Sequence, residues 1–301
     1  MNRSANAGPL TATIVGGLGN QMFIAAFARL AAESSGRPLI LDTTFYRHRA
    51  AGRHPELLAF AGWSGFGETS DWRGDLSRVS RAFSRRLHAP AIREFREHDL
   101  RPFTVGFDER SSDLSRFRRV SGYFQSWRYF SGHEKRVREM FTLAEPETVQ
   151  ATIHQAVGAD FMGIHVRRGD YTAPAAQKTF GLCSPEYYLR AIAMAQDRLQ
   201  SRLPVVLFSD APDEVPHDLL SRFDHVVKPD RTRPVAHDLV ALSSAQALVL
   251  SNSSFSWWAA YLRNAADRPV IVPKPWFRVG NSADADLLLP EWISVDARYG
   301  A

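Results

Sequence analysis

The sequence predicts an α/β protein of two Rossmann-like halves facing across a cleft, on three observations. Short β-prone runs alternate with helical stretches along most of the chain. The series starts twice, at Leu10 and again at Phe161. Polar and glycine-rich clusters follow several of the strand-like runs, where open parallel sheets hold their ligands.

The first series opens on Leu10 to Val15, a β-prone run followed by Gly16-Gly17-Leu18-Gly19. Helical spacing then takes over from Met22 to Ser34, with Met22, Ala26, Leu30 and Glu33 in step. Leu39-Ile40-Leu41-Asp42 is the next apolar run, so the segment reads as strand, glycine turn, helix and strand. From Trp63 to Val105 the composition shifts to Arg, Gly, Ser and Trp. There Leu76, Val79, Phe83 and Leu87 fall at helical spacing, with Arg78, Arg81 and Arg85 on other faces. This basic region, 71–101, reads first as a surface helix with a solvated arginine face. Peripheral contact with an anionic membrane is the second reading. Gly122 to Trp127 is strand-like and aromatic, and Phe130 to Val157 is mostly helical. The domain boundary is expected at residue 158, giving an N-terminal half of residues 1–157 and a C-terminal half of residues 158–301.

The second series begins with the strand Phe161 to Val166, which runs into Arg167-Arg168-Gly169-Asp170-Tyr171. Ser184, Pro185 and Glu186 are helix-start residues in the preferred order, and the helix runs to about Gln200. Strands follow at Pro204 to Phe208, His225 to Val227, Ala247 to Leu250 and Val270 to Val272. Helices are expected over Asp238 to Gln246 and Phe255 to Arg263.

Bulk properties bound the function. With 301 residues, 45% of them hydrophobic, the chain can bury a sizeable core. A net charge of +5 and a pI near 9.5 fit an anionic substrate, a membrane surface or nucleic acid alike. No nucleic-acid motif is present, and nucleic acid is not expected as a partner. The one cysteine, Cys183, permits no intramolecular disulfide and no zinc ribbon. Residues Met1 to Pro9 lack the apolar core of a signal peptide, and no apolar run could span a bilayer. A cytoplasmic protein is the expectation, with the inner face of the plasma membrane as the setting if the basic region binds lipid.

Four polar clusters carry the candidate chemistry: Gly16 to Gln21, His165 to Asp170, Ser209-Asp210 and Ser251 to Ser254. The glycine turn is neither a dinucleotide fingerprint, since Met22 stands where the last glycine belongs, nor a P-loop, since no lysine follows. Strand alternation places His165 and Arg167 on one side, and Arg168 and Asp170 on the other. Adjacent arginines at a strand end suit a phosphate, which a guanidinium clamps in bidentate fashion; a structural salt-bridge cluster is the competing reading. Asp170 is read as orienting Arg168 or accepting a proton. Ser253 and Ser254 precede a helix, where hydroxyls and amides form an anion site or a simple cap. Trp257 and Trp258 read as core. No GxSxG or HExxH motif supports a hydrolase.

At these residues the chain resembles the bacterial α-1,2-fucosyltransferases, glycosyltransferase family 11. The matching stretches are GGLGNQMFIAAFARLAA (16–32), GYFQSWRYF (122–130), GIHVRRGDY (163–171), CSPEYYLRAI (183–192), LFSD (207–210), HDLVALSSAQALVLSNSSFSWWAAYL (237–262) and VIVPKPWF (270–277). The resemblance implies a GT-B-like fold and inverting transfer of L-fucose from GDP-β-L-fucose to the 2-hydroxyl of a terminal β-galactoside. The acceptor would be a galactose-terminated glycan or lipid-linked oligosaccharide in surface polysaccharide or O-antigen synthesis. No cofactor or metal is expected. By the same resemblance His165 and Asp238 would contact guanine, and Arg167 the β-phosphate, with Arg168 beside it. Ser253, Ser254 and the Phe255 N–H would hold phosphate oxygens. Gly17 and Gly19 would approach the donor, Asn20 would lie near the reacting centre, and Ser209 and Asp210 would line the nucleotide pocket. Asp170 is the candidate base. A fucosyltransferase of another linkage, and a non-catalytic GDP-sugar or glycan-binding protein on the same fold, are the alternatives.

Overall fold

A computed structural model of the chain describes residues 8–48, 55–64, 93–100, 104–143, 147–230, 232–263, 267–278 and 284–299. Most of the basic 71–101 region, including the helix expected over residues 76–87, lies outside the described residues. By its internal contacts the chain divides into two compact units, residues 1–140 and 141–301.

The first unit contains β1 (Leu10–Thr13), α1 (Leu18–Ser34), β2 (Leu39–Asp42), β3 (Glu94–Arg96) and β4 (Arg119–Ser121). Its strands pair in parallel in the order β2-β1-β4-β3. α1 is rich in alanine, the strongest helix former, and buries Met22, Phe23, Ala26 and Phe27. Phe27 stacks on Phe124 with ring centroids 3.9 Å apart. Arg119 of β4 reaches across to β1 and β2, donating to Thr13 Oγ1 at 3.0 Å and to Asp42 at 2.5 Å. The expected strand over Gly122 to Trp127 is not formed. Pairing stops at Ser121, and Phe124 takes a left-handed conformation (φ +52°) that no strand accommodates.

The second unit contains α2 (Glu147–Val157), β5 (Met162–Val166), α3 (Pro185–Leu199), β6 (Val205–Ser209), β7 (His225–Val227), α4 (Ala236–Ser243), β8 (Ala247–Val249), α5 (Ser254–Leu262), β9 (Val270–Lys274) and β10 (Ile293–Asp296). Its strands pair in parallel in the order β10-β9-β8-β5-β6-β7. The chain leaves β5 one way through β6 and β7, then returns to the other side for β8, β9 and β10. This is a doubly wound sheet whose strand order reverses between β5 and β8. All of β5, β6 and β8 is buried, as continuous apolar runs require in a sheet covered on both faces.

The covering helices follow from their patterns. Ser184 caps α3 by accepting from Tyr187 N at 3.2 Å, and Tyr187, Tyr188, Ala191, Ile192 and Ala195 form its buried face. Trp257 and Trp258 of α5 are fully buried, and Trp257 Nε1 donates to the Leu287 carbonyl at 2.6 Å, so both are core as expected. α2 packs against α4 and β7, which buries Val149 and Ile153 in the second unit. The units therefore divide after Met140, not after residue 157: the helix before β5 belongs to the layer covering the second sheet. Among the described residues no helix is long and apolar enough to cross a membrane.

Candidate functional site

The reversal of strand order puts the exits of β5 and β8 side by side, and their polar segments meet there. His165 Nδ1 is 2.7 Å from Ser251 Oγ, in the segment after β8. The imidazole is buried, with its ring 5.1 Å from that of Phe255. Burial pushes its pKa down to about 3, with the Arg167 charge adding to the effect. His165 is therefore a neutral group that hydrogen-bonds but does not titrate near neutrality.

After Val166 the chain turns. Gly169–Thr172 forms a short 3-10 turn, and Gly169 has φ +36°. A Cβ at Gly169 would collide with the Asp210 carboxylate, so both backbone conformation and space call for glycine. The turn brings Asp170 back onto Arg167, with Nη2 to Oδ1 at 2.5 Å. Asp210, just beyond β6, receives Arg167 Nη1 at 3.1 Å and the Arg168 backbone N–H at 2.9 Å. Ser209 supports this corner by accepting from Ala211 N at 3.2 Å. The Arg167 guanidinium lies 5.3 Å from the Tyr171 ring centroid, and its Nε is buried without a hydrogen-bond partner.

Strand alternation, extended past Val166, separates Arg167 from Asp170; the turn joins them instead. Asp170 pairs with Arg167. Arg168 is buried, and its Nη1 donates to the Arg167 carbonyl at 3.0 Å, so it braces the turn.

At the β8 exit, Ser253 caps α5, its Oγ accepting from Phe255 N at 3.3 Å. The Phe255 N–H expected to meet a phosphate is thus engaged by the cap, at the long end of hydrogen-bond range. Ser254 is the first residue of α5. Asn252, part of the polar cluster but given no role from sequence, locks this exit. Its Nδ2 donates to the carbonyls of Phe180 (2.7 Å) and Gly181 (3.2 Å), and its own carbonyl accepts from Tyr171 Oη at 3.3 Å. Tyr171 also stacks on Phe180, so it ties the arginine turn to the β8 exit.

Asp238, on α4, stands in a different ion pair. Arg233 Nη2 donates to it at 2.5 Å and Nη1 contacts Asp230 at 3.0 Å. Burial pushes the Asp238 carboxyl above the usual carboxylate range, against the opposing pull of Arg233. Nothing in the sequence pattern singled out Arg233, one of two arginines in a polar loop.

In the first unit, Gly17 precedes α1 in an extended conformation and Gly19 is buried in its first turn. Nothing lies within 4 Å of where a Cβ at Gly17 would stand, so packing does not demand this glycine. Asn20 Oδ1 accepts from Gln125 Nε2 at 2.8 Å. The two residues follow β1 and β4, neighbouring strands at the reversal of the first sheet. Gln125 belongs to a segment held by the buried Glu97 carboxylate. Oε2 of Glu97 accepts from the amides of Tyr123 (2.8 Å) and Phe124 (2.7 Å), and Oε1 from Tyr129 Oη (2.9 Å). Burial still pushes the Glu97 carboxyl upward. Neither Glu97 nor Gln125 was legible as a site residue, because their partners are 26 or more positions away in sequence.

The second unit is a doubly wound α/β sheet with an ion-pair cluster, Arg167 between Asp170 and Asp210, where its strand order reverses, the position at which open α/β sheets hold ligands. The sequence profile of Glycosyl transferase family 11 matches residues 80–296, and the chain belongs to that family, the one its motifs resemble. It is 30% identical over 181 residues to an alpha-1,2-colitosyltransferase of Escherichia coli, covering 58% of this chain and 61% of that protein. It is 28% identical over 221 residues to galactoside alpha-(1,2)-fucosyltransferase 1 of Lagothrix lagotricha, covering 68% of this chain and 58% of that protein. The chain thus spans about three fifths of the length of these relatives. Among solved structures, POFUT1 in complex with GDP aligns with 88% of this chain and 98% of its own, at a TM-score of 0.49 and 13% identity.

Proposed function

We propose that the protein transfers an L-fucosyl group from GDP-β-L-fucose to the 2-hydroxyl of a terminal β-galactoside, inverting the anomeric carbon. Family membership supports the reaction class. The observation that carries the donor site is Arg167, a guanidinium set over an aromatic ring with a buried, unpartnered Nε–H at the reversal between β5 and β8. A diphosphate supplies the acceptor that this donor lacks.

On this reading Arg167 takes the β-phosphate and stabilises the charge that builds on GDP as the bond to fucose C1 breaks. Ser253, Ser254 and the start of α5 hold further phosphate oxygens; the long Phe255–Ser253 contact is the one a phosphate displaces. His165, kept neutral, and Asp238 contact the guanine, and Asp238 exchanges Arg233 for the base N–H groups. Arg168, Ser209 and Asp210 shape the pocket by fixing the arginine turn. Gly17 and Gly19 leave backbone accessible to the donor, and Asn20 positions the reacting hydroxyl. Asp170 is the candidate for accepting its proton. With an oxocarbenium-like transition state, neutralising the leaving diphosphate contributes more than base strength. No metal is required in this scheme. The setting is synthesis of a surface polysaccharide or O-antigen, on a galactose-terminated glycan or lipid-linked oligosaccharide at the cytoplasmic face of the membrane.

A colitosyl donor is the second reading, since one of the similar relatives is named for colitosyl transfer. Both are decided by incubating the protein with GDP-fucose or GDP-colitose and a panel of β-galactosides, with and without EDTA. The expected result is GDP release and a deoxyhexose on galactose O2, at the same rate in EDTA. A faster reaction with GDP-colitose would replace the donor, loss of activity in EDTA would remove metal independence, and no GDP-sugar binding would remove the reading.

A further inference from the structure

We infer that Tyr123 is the platform on which the acceptor galactoside stacks. The inference deepens the proposed function and rests on it. Tyr123 is 50% exposed, and it is the aromatic residue among the large hydrophobic side chains found exposed in the described chain; the others are Leu100, Leu189 and Met194. It lies two residues beyond the end of β4 and two before Gln125, the residue that hydrogen-bonds Asn20.

The structure spends a buried carboxylate to hold it there. Glu97 accepts both the Tyr123 and the Phe124 amide, and its other oxygen is fixed by Tyr129. A Cβ at Gly122 would overlap the Glu97 side chain, so the segment is pressed against that carboxylate. With two adjacent amides pinned, Phe124 turns left-handed and sends its ring wholly into the core against Phe27. Its neighbour is thereby turned outward. A left-handed bulky residue is costly unless its surroundings impose it, and such outliers concentrate at functional segments. A tyrosine needed only for packing would be buried with its neighbours.

The chemistry of the acceptor matches. The axial 4-hydroxyl of galactose leaves the C3, C4 and C5 hydrogens on one face as an apolar patch. An aromatic ring covers such a patch while hydroxyls on the rim stay free to hydrogen-bond. A ring held rigid by the backbone does this at little entropic cost. Tyr123 thus binds the sugar that Asn20, held by Gln125, presents for reaction.

The test is a kinetic split in Tyr123→Ala and Tyr123→Trp. Tyr123→Ala is expected to raise the acceptor KM on the order of tenfold with the GDP-fucose KM unchanged, and Tyr123→Trp to restore it. Saturation-transfer NMR on methyl β-galactoside, which needs no turnover, should show contact at H3, H4 and H5 in the unaltered protein and its loss in Tyr123→Ala. An unchanged acceptor KM and unchanged saturation transfer in Tyr123→Ala, with the unaltered protein active, would overturn the platform alone. A protein that neither binds GDP-fucose nor contacts the galactoside would remove the proposed function together with the inference.

Discussion

The two units place a motif at the same point of their sheets and fill it with different chemistry. β1 and β5 are each the first strand of a parallel sheet, and each lies inside it. Each is followed by a candidate motif, and each motif is touched by the exit of the strand at the reversal, β4 in one unit and β8 in the other. In the second unit the contacts at this point are ionic, with Arg167 between Asp170 and Asp210. In the first they are amide to amide, Gln125 to Asn20. A parallel sheet fixes where a ligand can sit, and the residues after the strand decide which ligand. On the proposed function, charge belongs where a diphosphate is neutralised, and neutral donors and an aromatic ring where sugar hydroxyls are sorted.

The largest effect is expected on the ionic side. Arg167→Ala removes the group proposed to neutralise the leaving phosphate and should lower kcat/KM by about a thousandfold or more. Arg167→Lys should recover little of it, because a lysine is a point charge without the guanidinium fork. Thermal melting should show the fold intact in both. Activity within tenfold of the unaltered protein would mean that the charged cluster is a structural brace, and the contrast between the units would lose its functional meaning.

On the neutral side a smaller and differently shaped effect is expected. Gln125→Leu deletes the donor to Asn20 while leaving the Glu97 clamp on the Tyr123 and Phe124 amides. The turnover number should fall about tenfold, the cost of one neutral hydrogen bond that orients a reacting group. The GDP-fucose KM should stay as it was. A raised GDP-fucose KM at constant kcat would make the amide pair a donor contact rather than an acceptor one.

How far this contrast could be read from sequence follows the range of the interactions. The strands after Phe161, Pro204 and Ala247 were legible because burial on both faces writes uninterrupted apolar runs, and β1 because its residues are β-prone although only alternate ones are buried. The start of α3 was legible because Ser184 and Pro185 act on their immediate neighbours. The edge strands β3 and β10 were missed, since Glu94-Phe95-Arg96 and Ile293–Asp296 carry too little apolar signal to mark a strand. His165, Arg167 and Asp210 were found as residue types at strand ends. Their pairing was not, because strand alternation ends where Gly169 turns the chain. Glu97, Gln125 and Arg233 were invisible for a related reason: each matters only through a partner that the fold brings to it.

The smallest effect tests whether the centre of the ionic side is itself uncharged. The folded pKa of His165 is about 3, against about 6.5 for an unfolded histidine. Between those values the unfolded chain binds a proton that the folded chain refuses. This contribution to stability is therefore complete above pH 6.5 and is lost as the pH falls toward 3, with a slope of at most about 1.4 kcal/mol per pH unit. His165→Asn keeps a group able to bond Ser251 and removes the titration. Urea unfolding of both proteins from pH 7.5 to 4.5 should show the unaltered protein losing stability faster on acidification, the difference opening below pH 6.5. Parallel curves would mean that the imidazole takes up its proton in place, and a protonated His165 beside Arg167 would make the β5 exit a doubly cationic site rather than one cation backed by a neutral ring.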